Sequence, residues 1–223
     1  MAGLIALVGG NEFRGSCEPM DRALLARLGS YPQVLIVPTA AARENPSLAA
    51  ENGVRYFRHL GARAEAAMII DAATARRADL VAQVENADLV YFTGGNPVHL
   101  LETMRDSPAW QAALEVYEGG RMLAGSSAGA MICGERMWAP GEGWRKGLGL
   151  VTCIAVIPHH ANLAARWNAE RMRASLEQGM ILVGIDEATA LVGPPWQVIG
   201  QGEVVVYRSE KPSVFKDSQT VEL

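Results

Sequence analysis

Short apolar runs, most of them closed by Gly or Pro, alternate along this chain with stretches of helical periodicity, and this alternation constrains the fold more than any other feature. The runs Leu4–Val8, Gln33–Val37, Ala64–Ile70, Ala87–Phe92 and Met122–Ala124 read as strands. Pro19–Leu28, Ser47–Leu60, Ala75–Glu85, Val98–Met104 and Pro108–Tyr117 read as the helices between them, with Ser47 as an N-cap and Gly61 as a stop. Strands that are apolar throughout, joined by amphipathic helices, imply βαβ units and a buried parallel sheet. Ala139 to Gly143 reads as a loop interrupting the alternation. Ile154–Ile157, a helix over Leu163–Glu177 and Ile181–Ile185 then resume it. Thr189–Val192, Gln197–Ile199 and Glu203–Tyr207 read as short antiparallel strands, and the polar tail after Lys211 as a loose edge or a short strand. The expected architecture is an α/β three-layer sandwich. It has a mostly parallel central sheet, helices on both faces and a short antiparallel extension near the C-terminus.

A chain of 223 residues is long enough for one good core, and residues 1–223 are expected to form one domain. A net charge of -4 gives no reason to expect nucleic acid or an anionic membrane as partner. No apolar run reaches the roughly 18–20 residues that span a bilayer. The N-terminus lacks a basic segment and reads as a first strand, not a signal peptide. Cys17, Cys133 and Cys153 show no metal-ligand spacing and read as buried or inert thiols of a reducing cytoplasm. No cofactor or metal is expected.

Gly125-Ser126-Ser127-Ala128-Gly129 contains the pattern Gly-x-Ser-x-Gly. An apolar run leads in, and a helix-compatible run, Ala128 to Cys133, leads out. A strand, a sharp turn and a helix would place Ser127 at the turn with its oxygen exposed, beside the next backbone N–H and the helix dipole. A serine nucleophile needs a base and a group that orients the base. The chain has four histidines, His59, His99, His159 and His160. His59 reads as a surface residue late in a helix, and His99 as the start of another. His159 and His160 directly follow a strand, and in open parallel sheets sites form beyond the carboxyl ends of strands. Gly9-Gly10-Asn11-Glu12 and Thr93-Gly94-Gly95-Asn96 occupy such ends too. Asp186 and Glu187 follow another strand, and Glu142 lies in the long loop, so three carboxylates are candidates for the orienting acid. With Glu187 the order is serine, histidine, acid, unlike the serine, acid, histidine order of α/β-hydrolases.

Four segments together resemble one family. They are Phe92-Thr93-Gly94-Gly95-Asn96, Gly125 to Ala130, Pro158-His159, and Gly184-Ile185-Asp186-Glu187-Ala188-Thr189-Ala190. In this order they are similar to the cyanophycinase and aspartyl dipeptidase (dipeptidase E) family of serine peptidases, which shares the fold of class I glutamine amidotransferases. The resemblance implies Ser127 as nucleophile, His159 as base and Glu187 as its orienter. It implies backbone N–H groups of Ala128, Gly94, Gly95 and Asn96 as the oxyanion hole. Two departures stand out: His160 replaces the bulky aromatic that tends to follow the histidine, and Ile157-Pro158 replaces the Asp-Gln of the cyanophycinase branch.

The same resemblance implies a small peptide substrate with an acidic, α- or β-linked aspartyl residue. Such a side chain needs a cation, best an arginine. Arg166 and Arg173, seven residues apart on one helix face, are the first candidates, with Asn11 and His160 as further substrate contacts and Arg14 as a weaker one. A glutaminase would use cysteine at the elbow, where this chain has Ser127. A non-catalytic binding protein on the same scaffold is the other alternative. Homodimers are common among soluble enzymes, and a homodimer is allowed here.

Overall fold

The structure is a computed structural model that describes residues 2–208 and 211–223. Five parallel strands form its centre: β1 (Leu4–Val8), β2 (Gln33–Val37), β3 (Arg63–Ala66), β4 (Leu89–Phe92) and β5 (Met122–Ser126). They lie in the order β1-β5-β4-β2-β3. On the far side of β1 the sheet continues antiparallel through three later strands, described below. Alternate residues point to opposite faces. Ala6, Val8, Val34 and Ile36 pack on α1 (Glu18–Leu25) and α2 (Pro46–His59). Ile5, Leu7, Leu35 and Val37 join the larger core with α3 (Ala78–Glu85), α4 (Pro97–Met104), α5 (Pro108–Glu118) and α6 (Ala128–Cys133). A parallel strand covered on both faces has no polar side, hence the unbroken apolar runs.

Three helices start by one device. Asn45, Asn96 and Ser107 each precede a proline, and each side chain accepts the backbone N–H three residues on. Proline is preset for the first helical position and has no N–H to leave unpaired. It therefore sets the start of α2 at Pro46, and Asn45, not Ser47, is the cap.

The chain after α6 departs most from expectation. A second, six-stranded sheet forms from β6 (Gly134–Ala139), β7 (Gly143–Lys146), β8 (Val151–Ile157), β9 (Ile181–Ile185), β12 (Val204–Tyr207) and β13 (Ser213–Phe215). The expected loop at Ala139 to Gly143 is the turn of the β6–β7 hairpin. The antiparallel strands near the C-terminus divide between the sheets. β10 (Thr189–Gly193), β11 (Trp196–Gly200) and β14 (Thr220–Val221) extend the first sheet, and β12 and β13 the second. The inner face of the second sheet joins the main core through Ile154, Val156, Val183 and Val206. Its outer face is covered by α7 (His160–Trp167) and α8 (Ala169–Ala174). These two replace the single helix expected over Leu163–Glu177, because Asn168 takes a left-handed conformation, φ 54°, and its side chain caps α8 through Arg171 N–H. No helix among the described residues is long and apolar enough to cross a membrane.

Candidate active site

Parallel pairing brings the carboxyl ends of β1, β5 and β4 to one edge, with Val8 opposite Ser126 and Phe92 opposite Gly125. The second sheet presents the ends of β8 and β9 to the same place. The last residues of β1 tie the two together. Val8 carbonyl accepts Ser127 N–H at 2.9 Å, Gly9 carbonyl accepts His159 N–H at 2.7 Å, and Gly10 carbonyl accepts Ala188 N–H at 3.1 Å. The backbone at or next to Ser127, His159 and Glu187 therefore hangs from three consecutive carbonyls.

Ser127 sits between β5 and α6 with φ 49° and ψ -104°. That conformation is disfavoured for any residue with a side chain and costs on the order of 1–3 kcal/mol. The surrounding backbone enforces it, since Gly125 packs against the Gly129 backbone so closely that a Cβ could not be added. His159 also has positive φ, 47°. Its ring lies over Gly10, whose φ of 124° and missing side chain leave room for it.

Ser127 Oγ lies 3.0 Å from His159 Nε2, and Glu187 Oε1 lies 2.8 Å from His159 Nδ1. A carboxylate can only accept, so Nδ1 carries the ring proton and Nε2 accepts the serine O–H. Asn162 Nδ2 donates to the same Glu187 oxygen at 3.4 Å, and Thr189 Oγ1 donates to the Glu187 carbonyl. The His159 side chain is 29% exposed and that of Glu187 41%, so the pair is reachable from solvent. Such an imidazole can take a proton from Ser127 as it attacks and return it to a leaving group.

Around Ser127, the amides of Gly95 and Ala128 meet no acceptor among the described residues. The two other expected oxyanion donors are engaged. Asn96 N–H donates to Ala40 carbonyl at 2.8 Å and its side chain caps α4, while Gly94 N–H donates to Glu12 Oε1 at 2.7 Å. Glu12 was not among the expected site residues. Its position beyond a strand end was the only signal in the sequence.

Ser127 and His159 open into a cleft of about 950 Å³, walled by the segment after β1 and by one face of α2 from Leu48 to His59. Asn11 and Arg14 line it, as do Arg55 and Glu44. Arg166, Arg173 and His160 do not, which corrects their expected place as substrate contacts. α7 and α8 lie on the outer face of the second sheet, where Arg166 is exposed and Arg173 donates to the carbonyls of Tyr207 and Arg208. His160 is buried there, 2.8 Å from Tyr207 Oη and 3.5 Å from Asp186 Oδ1, and burial pushes its pKa down. Asp186 does not reach His159. It accepts Ala161 N–H and Glu203 N–H, latching the two strand-end segments. Glu142 pairs with Arg145 on the hairpin. Among the described residues no cluster of three or more His, Cys, Asp or Glu is placed to hold a metal ion.

The model of peptidase family S51 matches residues 4–194 of the chain. The chain belongs to peptidase family S51. Structurally it is similar to a peptidase from an acI-B1 Actinobacterium, at a TM-score of 0.90 and 30% identity over 100% of this chain and 98% of the other. A candidate peptidase E protein from Listeria monocytogenes EGD-e has the same fold at a TM-score of 0.67 and 21% identity, over 94% and 100% of the two chains. By sequence the chain is 27% identical to the cyanophycinase of a Nostoc species over 217 residues, covering 91% of this chain and 72% of the relative. This S51 protein is thus a hydrolase, a peptidase of the serine class, on a mixed α/β fold consistent with the amidotransferase-like architecture.

Proposed function

We propose that this S51 peptidase cleaves small peptides at an aspartyl residue through a triad of Ser127, His159 and Glu187. The hydrogen-bonded chain from Ser127 Oγ through both ring nitrogens of His159 to Glu187 carries the reading. In the first half-reaction Ser127 Oγ attacks the scissile carbonyl while His159 Nε2 takes its proton. The carbonyl oxygen, now negative, accepts the amides of Ala128 and Gly95. His159 then protonates the leaving amine, and an acyl-enzyme remains. Water attacks the ester with its proton going to His159, and Ser127 is regenerated. Glu187 Oε1, 2.8 Å from Nδ1, accepts the ring N–H throughout and stabilises the imidazolium that forms.

Arg14 supports the acidic preference. It lines the cleft, is exposed, and its guanidinium meets no acceptor among the described residues, so it is available to a substrate carboxylate. Cys133 gives no support to a glutaminase. It is buried inside α6, its Sγ lies 3.2 Å from the Gly129 carbonyl, and burial pushes its pKa to about 12. A fluorophosphonate followed by mass spectrometry tests the triad: labelling at Ser127, lost in His159→Ala, is expected. A panel of α- and β-aspartyl dipeptides against their asparaginyl counterparts tests the preference. Arg14→Ala should raise KM for the acidic peptides alone. Equal rates on both panels would end the aspartyl reading, and an unlabelled Ser127 in folded protein would end the triad.

A further inference from the structure

Glu12 reaches from the segment after β1 to the two neighbouring strand ends. Its Oε1 accepts Gly94 N–H at 2.7 Å, and its Oε2 accepts the Ser126 hydroxyl at 2.7 Å. Both bonds go to carboxyl oxygens of one side chain and are short. One donor belongs to the turn after β4 and the other to the residue before the nucleophile. The two walls meet here, since a Cβ added to Gly94 would lie 3.3 Å from Ser127 Cβ and 2.8 Å from Glu12 Oε1. The turn offers little else to hold it. Gly94 and Gly95 have no side chains, Gly95 has φ 136°, and the next fastening is Asn96 N–H on Ala40 carbonyl.

We infer that Glu12 is a positioning residue for the oxyanion-binding amides. By clamping Gly94 to Ser126 it fixes the place of Gly95 N–H relative to Ser127 Oγ. It also removes Gly94 N–H from the donor set, which leaves Gly95 and Ala128. The inference rests on the proposed serine mechanism and names a residue that mechanism does not use.

The test separates the clamp from the charge. In Glu12→Gln the amide oxygen accepts Gly94 N–H and the amide nitrogen donates to Ser126 Oγ, which turns from donor to acceptor, so the clamp survives uncharged. Glu12→Ala removes it. The readouts are the fluorophosphonate labelling rate of Ser127, kcat and KM on the best dipeptide, and affinity for a peptide aldehyde, whose adduct places an oxyanion at the same amides. Because misplacing an oxyanion donor costs about 10²–10³-fold in kcat, Glu12→Ala should lose roughly 10²-fold in labelling rate, kcat and aldehyde affinity, with KM within about 3-fold. Glu12→Gln should stay within about 5-fold of the parent protein. Parent-level kcat in Glu12→Ala overturns the inference, as does a loss confined to KM or a Glu12→Gln as impaired as Glu12→Ala. If Glu12→Ala does not fold, Ser126→Ala severs one arm, and an unchanged labelling rate and kcat there overturns it equally. A parent protein that is not labelled at Ser127 refutes the serine mechanism and this inference together. A labelled parent with an unaffected Glu12→Ala refutes the clamp alone.

Discussion

At the scale of single residues, the site is made of conformations that side chains resist. Ser127 at φ 49° and ψ -104° occupies a region that glycine enters freely. Ser127→Gly and Ser127→Ala should both be inactive, yet the glycine variant should be the more stable by ~1–2 kcal/mol, read as a shift in urea midpoint. Equal midpoints would show that the elbow carries no strain. Gly10 is the converse case, a position where a side chain is excluded. A Cβ there would collide with the His159 ring at a φ of 124°. Gly10→Ala should therefore abolish the Ser127–His159 hydrogen bond and lower kcat by roughly 10²-fold, the order by which a small misplacement of a reacting group slows a reaction. Steady-state kinetics on a fully folded variant would check it.

At the scale of elements, two strand-end segments of the second sheet must be held in register with β1. Asp186 does this from the side, with one oxygen on Ala161 N–H at 2.8 Å and the other on Glu203 N–H at 3.0 Å. Removing it breaks two backbone hydrogen bonds, one at the exposed first turn of α7 and one at the half-buried Glu203, each worth about 0.5–1.5 kcal/mol. Asp186→Ala is expected to destabilise the protein by ~1–2 kcal/mol in chemical denaturation. It should also slow Ser127 labelling, because α7 begins one residue after His159. The helices after β8 show why the substrate arginines were misplaced. Arg166 and Arg173 share a face only on one unbroken helix, and the left-handed Asn168 ends that helix between them.

At the scale of the whole molecule, pH acts through Asp21. This carboxyl is fully buried between α1 and α2, with Oδ2 accepting the Tyr56 hydroxyl at 2.8 Å and Oδ1 without a partner among the described residues. Burial pushes its pKa from 3.8 to about 7. The folded state then holds a proton that the unfolded state releases, so stability falls as pH rises through the window from about 4 to 7 and levels off above it. Asp21→Asn cannot ionise and should remove this slope, gaining most over the parent protein at and above neutral pH. Parallel stability curves for the two proteins from pH 4 to 8 would refute the assignment. The effect is global because Asp21 and Tyr56 join the two helices that cover one face of the central sheet, and Tyr56 also lines the catalytic cleft.

β1, β2, β4 and β5 were legible because each is largely buried on both faces and reads as an apolar run, whereas the edge strand β3 exposes Arg63 and ends at Ala66, short of the expected Ile70. The elbow was legible because small residues crowd one turn, and Leu4–Val8, Gln33–Val37 and Ile181–Ile185 have the bounds their sequences suggest. The β6–β7 hairpin was hidden because its strands are half-exposed and carry Arg136, Trp138, Trp144 and Arg145, with no apolar run to mark them. Local sequence determined which residues can be nucleophile, base and acid, since those chemistries belong to few side chains and strand ends can be read from Gly and Pro. Only the tertiary structure decided that Glu187 and not Asp186 meets His159, and that Arg14 and not Arg166 faces the cleft. It also brought Glu12 between Gly94 and Ser126. Each of these choices depends on which segments, far apart in the chain, the two sheets bring to one edge, and residue spacing does not encode that distance.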